Sequence, residues 1–242
     1  MNSVTKMLLC DFHIHTTYSD GVLPLREVVD LFGRSGHDVI AITDHIVNQD
    51  NGLGRIAHAF RRSLDPESWK RYAEDVAREA ERAWRAYGML VLPGAEMTRN
   101  TINRDTSVHI LALGLADFLP ADGDPLEMLR EIRRRGAVSV ACHPHAMSEF
   151  YANTFYLWNR RRIVRPLVDL WEVGCRWDLF PPVSRERLPH IANSDFHRPE
   201  HLYAWKTLLN AEKKREAILA ALKRGTGIGV LRLTPEEAAA TA

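Results

Sequence analysis

The sequence predicts an α/β domain in which strands and helices alternate. Three observations carry that prediction. Short β-branched runs recur along the chain, segments with helical spacing lie between them, and 242 residues at 45% hydrophobic content suffice for one full core. The runs are MLLCDF, DVIAIT, MLVLPG, SVHILAL, AVSVAC, LVDLWEV and PHIANS. Their near-continuous apolar character implies parallel strands covered by helices, either as a barrel or as an open doubly wound sheet. A single domain over residues 1–242 is expected, because no internal repeat or linker interrupts the pattern.

The helices follow in order. LPLREVVDLFGRSG puts Leu25, Val28, Val29 and Phe32 on one face and stops at a glycine. PESWKRYAEDVAREAERAWRAYG begins at Pro66, with Trp69, Tyr72, Ala73, Val76 and Ala80 down one side and charges on the other. DPLEMLREIRRRG begins after Asp124, has Pro125 at the first helical position and ends at Gly136. Between a strand and a helix, residues 46–65 contain two glycines and two asparagines and read as a loop over the strand ends. With the helix that follows, residues 46–88 form the candidate lid. The polar, alanine-rich LTPEEAAATA reads as a frayed tail over 234–242.

Charge and cysteine content exclude several classes. Lys plus Arg (32) nearly balance Asp plus Glu (31), so no global field recruits nucleic acid or an anionic membrane surface. The basic runs NRRRIVR, IRRRG and EKKRE read as solvated faces, and the aromatic density of EFYANTFYLW reads as packing. Nucleic acid is therefore a disfavoured partner. MNSVTKMLLC has too short an apolar run for a signal peptide, and no later run is long enough to span a bilayer, so a cytoplasmic protein is expected. Cys10, Cys142 and Cys175 are widely spaced in or beside apolar runs and read as reduced core thiols.

Chemistry concentrates at the strand ends. In LLCDFHIHTTYSDG, alternation places Asp11, His13 and His15 on one face, where the two imidazoles can converge on one ion and Asp11 can fix a histidine tautomer. Taken alone, the H-x-H pair is better read as ordinary polar residues at a strand end. The pattern then repeats: VIAITDHI ends with Asp44 and His45, LVLPGAEM with Glu96, VSVACHPH with His143 and IANSDFH with Asp195 and His197, while SVHILAL carries His109. Asp44 reads as a supporting carboxylate. Imidazoles and carboxylates without thiolates suit Zn, Mn or Fe in a catalytic site with open positions. With Asp20, nine candidate ligands exceed the need of one ion, so two to three divalent ions are expected.

Across about residues 8–200, DFHIHTTYSDG, AITDH, GAE, HILALG, CHPH and NSDFH resemble the PHP (polymerase and histidinol phosphatase) domains. The resemblance implies a distorted (βα)7 barrel with a multinuclear metal site on the C-terminal rim, used for phosphoester hydrolysis. It implies that His13, His15, Glu96 and Asp195 hold a first ion, that Glu96, His109 and His143 hold a second, and that Asp20, His45 and His197 hold a third. A hydroxide shared by the first two ions would attack phosphorus, with Asp195 and His197 in the catalytic set. Arg99 and Arg198, and less so Arg104, are candidates for substrate phosphate. His145, two residues past His143, is a candidate proton donor to the leaving group. His37, His58, His190 and His201 are assigned no role.

PHP enzymes that trim nucleotides often carry an insertion between the positions of His109 and His143. Here only residues 110–142 lie between them, so a nucleotide-gripping subdomain is not expected. A small phosphomonoester or nucleotide-like phosphate is the expected substrate. Two other readings stay open: an amidohydrolase-like hydrolase of a lactone or cyclic amide, and a non-catalytic, metal-stabilised interaction module.

Overall fold

Each apolar run named above forms a strand in the computed structural model, which describes residues 7–50, 52, 55–56, 60, 62–145 and 154–234. In chain order the elements are β1 (Leu8–Asp11), α1 (Leu25–Arg34), β2 (Val39–Ile42), β3 (His45–Val47), α2 (Pro66–Tyr87), β4 (Leu90–Arg99), β5 (Val108–Leu113), α3 (Pro125–Arg134) and β6 (Val138–Ala141). There follow α4 (Phe155–Asn159), α5 (Arg161–Val164), β7 (Leu170–Cys175), β8 (Asp178–Leu179), α6 (Pro181–Arg185), β9 (His190–Asn193), β10 (Trp205–Leu209), α7 (Arg215–Arg224) and β11 (Ile228–Arg232).

The helices start and stop for local reasons. Asp65 and Ser68 form a reciprocal capping box ahead of α2, Pro66 takes its first position, and Gly88 ends it at φ +60°. The buried face of α2 carries Trp69, Tyr72 and Val76, and the Tyr72 hydroxyl lies 2.9 Å from the carbonyls of both Ile42 and Gly94, which seats the helix across β2 and β4. The C-terminal half of the candidate lid is therefore built into the core. Residues 51, 53–54, 57–59 and 61 of that segment, and 235–242 of the expected tail, lie outside the described residues. Asp124 caps α3 through the Leu126 N–H, and α1 buries the four residues its periodicity predicts.

The strands form one curled half-barrel sheet in the order β11-β10-β1-β2-β4-β5-β6-β7-β8, with β3 added to β4 and β9 to β7. A parallel bridge between Ile14 and Phe196 joins the chain just past β1 to the chain just past β9. One apolar cluster packs the sheet against α1, α2 and α3, and a second lies on the side closed by α7.

The all-parallel expectation needs correction. β1, β2 and β4 are parallel, as are β6, β7 and β9, but β5 runs antiparallel to both β4 and β6. Only residues 100–107 join β4 to β5. That is shorter than the dozen or so residues a crossover needs, so the chain must turn back as a hairpin. Residues 114–124 then return it to the rim before α3. The C-terminal strands β10 and β11 add antiparallel beside β1.

Candidate metal centre

The rim side chains are brought together by local chain geometry. His13 and His15 flank the bridge at Ile14, and a turn over residues 16–21 carries Asp20 back toward them. A Cβ on Gly21 would stand 2.5 Å from the His15 carbonyl oxygen, so the turn closes only around glycine. Asp44 braces it, accepting from Thr16 N at 2.8 Å, Thr16 Oγ1 at 2.9 Å and Ser19 Oγ at 2.6 Å. Because β5 is reversed, its first residues face the same rim as the last residues of β4. This is how His109 reaches Glu96.

Glu96 is the hub. Its Oε1 lies 2.8 Å from His109 Nδ1, 3.4 Å from His13 Nε2 and 3.6 Å from His143 Nε2, and its Oε2 lies 2.8 Å from His45 Nδ1 and 3.4 Å from His15 Nε2. Asp195 Oδ1 sits 3.5 Å from Nε2 of both His13 and His15 and 3.3 Å from His197 Nδ1. Asp20 Oδ1 sits 3.1 Å from His197 Nε2 and 3.5 Å from His45 Nε2. Three sets have ligand atoms within 4.8 Å of one another: His13, His15 and Asp195; Glu96, His109 and His143; and His15, Asp20, His45 and His197. All nine residues singled out in the sequence fall into these sets. Cys142, read as a core thiol, also comes within that distance of His13 and Glu96, although burial pushes its thiol well above the ordinary value.

Charge is unevenly shared. Burial opposes ionisation of Glu96, but His45, His109 and His13 outweigh it and hold the carboxyl well below its usual range. Asp195 is held low in the same way by His13, His197 and Arg176, against its burial. Burial, then the neighbouring His197 and His45, push His15 down to about 3. For His45, burial is outweighed by Glu96 and Asp20, and the imidazole is pushed up to about 10.

Several supporting groups lie beyond the sequence reading. Glu172, fully buried on β7, accepts from His13 Nδ1 at 2.9 Å, from the His143 N–H at 2.7 Å and from Asn193 Nδ2 at 2.9 Å. Arg176 places Nη2 2.8 Å from Asp195 Oδ2. His201, assigned no role, is buried against the site, and its Nδ1 lies 3.1 Å from the His197 N–H donor. Asp11 does not orient an imidazole. Its Oδ2 pairs with Lys206 Nζ at 3.0 Å and its Oδ1 accepts from Ser194 N at 3.2 Å, so Glu172 performs for His13 the task expected of Asp11. An acidic residue inside the apolar run LWEVGC was the available signal for Glu172.

The remaining candidates are less central. Arg99 donates from Nη1 to the Gly123 carbonyl at 3.0 Å, and its buried Nε has no hydrogen-bond partner. Arg198 is mostly exposed, with Nε 3.2 Å from His201 Nε2. Arg104 lies in a short 3-10 turn between β4 and β5. His145 packs edge-on against Phe155 and Trp158, its buried Nδ1 without a partner, and it belongs to none of the three sets.

The donor set fits divalent cations. His13 Nε2, both ring nitrogens of His15 and Asp20 Oδ1 are buried without hydrogen-bond partners, and they point into the three sets. Leaving such atoms unsatisfied costs about 1–3 kcal/mol each. A bound cation removes that penalty and balances the three carboxylates of Asp20, Glu96 and Asp195.

Among solved structures, the chain is similar to a two-domain protein from Bacteroides vulgatus ATCC 8482, described as containing a predicted PHP-like metal-dependent phosphoesterase. The match has a TM-score of 0.69 at 22% identity and covers 94% of this chain and 65% of the other. The fold is PHP-like. The chain thus spans just under two thirds of that protein's length. The PHP-like fold also overlaps an amidohydrolase from Chromobacterium violaceum with bound sulfate and no metal, at TM-score 0.50 and 16% identity, over 94% of this chain and 99% of that one. No family model matches the sequence. No curated protein matches it either.

Among the described residues, no helix is long and apolar enough to cross a membrane.

Proposed function

We propose that the protein is a PHP-type metal-dependent phosphoesterase that hydrolyses a small phosphomonoester or nucleotide-like phosphate. One observation carries the reading: three ligand sets share members at His15 or meet through Glu96, and their inward atoms are buried without partners. In this reading the nine ligands are His13, His15, Asp20, His45, Glu96, His109, His143, Asp195 and His197, arranged as a distorted (βα)7 barrel rim, and the ions are two to three of Zn, Mn or Fe. Such ions neutralise phosphoryl oxygens and lower the pKa of water.

The chain's own residues supply the rest. Glu96, whose carboxylate faces five imidazoles, keeps the first two sets at a fixed spacing. Arg176 holds one oxygen of Asp195 and leaves the other to face His13, His15 and His197. Arg99, with an unused buried N–H, binds a non-bridging phosphate oxygen, and Arg198 assists from the exposed side. His145 donates the proton that the leaving oxygen takes as its bond to phosphorus breaks.

The amidohydrolase reading has less support here. A bridging lysine carbamate would occupy the place Glu96 fills, and the buried Lys206 is engaged with Asp11. Metal analysis of the purified protein, followed by parallel panels of phosphorylated metabolites and of lactones and cyclic amides, separates the two. Phosphate release from at least one phosphomonoester is expected. A metal-loaded protein inert to phosphates but active on a lactone would overturn the proposal.

A further inference from the structure

Glu172 gives the first two ligand sets, which share Glu96 in the sequence reading, a second link. Its Oε1 accepts from His13 Nδ1 at 2.9 Å and from Asn193 Nδ2 at 2.9 Å, and its Oε2 accepts from the His143 N–H at 2.7 Å. Asn193 in turn accepts from the Phe12 N–H at 2.9 Å, so the contact reaches back into the chain leading to His13. A carboxylate only accepts, so the proton sits on His13 Nδ1 and Nε2 is directed at Glu96 and Asp195. On the other side, His143 holds a left-handed backbone at φ +26°, a conformation costly for a residue with a Cβ. The hydrogen bond from its N–H to Glu172 holds that peptide in place. One fully buried carboxylate therefore sets the tautomer of a ligand in the first set and the backbone of a ligand in the second.

We infer that Glu172 is a positioning residue that couples the His13–His15–Asp195 set to the Glu96–His109–His143 set, so that removing both of its oxygens is felt in the binding of both ions. The inference rests on the metal reading above. The geometry makes the effects of two variants differ. In Glu172→Gln one end of the side chain becomes a donor. Turned toward His143 it meets one N–H, whereas turned the other way it meets two donors, His13 Nδ1–H and Asn193 Nδ2. The first orientation prevails, so His13 keeps its acceptor and His143 loses its own. In Glu172→Ala both lose it.

Two measurements test this. In the metal-free protein, NMR of selectively labelled histidine reads the slowly exchanging, hydrogen-bonded His13 Nδ1–H, assigned with His13→Gln. Titration with Mn2+ or Zn2+ reads the ion classes. Glu172→Gln should keep the Nδ1–H signal and weaken one ion class by about 10- to 100-fold. Glu172→Ala should lose the signal and weaken two classes. Glu172→Gln with every ion class unchanged overturns the coupling, as does loss of the Nδ1–H signal in that variant. Should Glu172→Ala fail to fold, Glu172→Gln decides alone. A wild-type protein that binds no ion overturns the proposed function, while the His13 signal still reports on the hydrogen bond itself.

Discussion

Two buried clusters of charge lie within one turn of chain, and they are built on opposite principles. Beneath the rim, Asp11 on β1 and Lys206 on β10 are both fully buried, and each meets its counter-charge at 3.0 Å. At the rim, His13 and His15 are equally buried, yet three of their four ring nitrogens lack a hydrogen-bond partner. The lower cluster is balanced by the chain itself. The upper one gathers three carboxylates and six imidazoles into sets whose ligand atoms lie close enough together to hold a cation. Burial alone therefore does not distinguish a structural ion pair from a binding site; a single opposite charge held at close range, as Lys206 is by Asp11, does.

The largest effect that tests this contrast is expected at the hub. Glu96→Gln should lower kcat/KM by more than about 100-fold, beyond the range of outer-shell changes, and deplete bound metal while the metal-free protein keeps its thermal midpoint. Turnover assays, metal analysis and melting curves check it; a variant that keeps its ions shows that Glu96 is not shared. The lower cluster should respond in the opposite currency. Lys206→Met leaves Asp11 buried and unpaired and should cost about 3–5 kcal/mol in denaturant unfolding, whereas Asp11→Leu combined with Lys206→Met should recover most of that loss. Equal stability of Lys206→Met and wild type would dissolve the contrast.

Protons provide a smaller and graded test. Glu96 and Asp20 overcome burial to raise His45 to about 10 in the metal-free protein, so at pH 7.5 it carries a proton that an incoming ion must displace. Because the raised group is charged below about 10, apparent metal affinity should climb with pH between about 7 and 10, near tenfold per unit for each proton released. Calorimetry in buffers of different protonation enthalpy measures the release; zero protons released would mean that His45 is not a ligand. The smallest effect is expected at Arg198. Its exposure limits its contribution, and Arg198→Ala should raise KM about two- to fivefold with kcat little changed.

The sequence shows the rim more clearly than what supports it. Ligands were legible because imidazoles and carboxylates at the ends of apolar runs are unusual company, and the repetition of that pattern tied distant positions together. The direction of β5 was not legible from periodicity, because a strand buried on both faces reads alike in either direction; the short link over 100–107 was the only clue. Glu172, Arg176 and Lys206 were missed for another reason. Glu172 and Lys206 act through His13 and Asp11, more than a hundred residues away, and Arg176 acts through Asp195 on another strand end, so none of the three pairings leaves a local spacing to read. Asp11 was assigned to the histidines because it is their neighbour in sequence, yet its side chain finds the lysine of an adjacent strand.

The reversed strand also makes one half of the centre local in the chain. Glu96 and His109 stand on the two arms of one hairpin, thirteen positions apart, so their contact needs only a short loop to close. His13 and Asp195 meet only when the first strand and the ninth are joined, near opposite ends of the chain. During synthesis the hairpin half of the centre can assemble while most of the C-terminal third is still unmade, and an ion captured there early would wait for the remaining ligands to arrive.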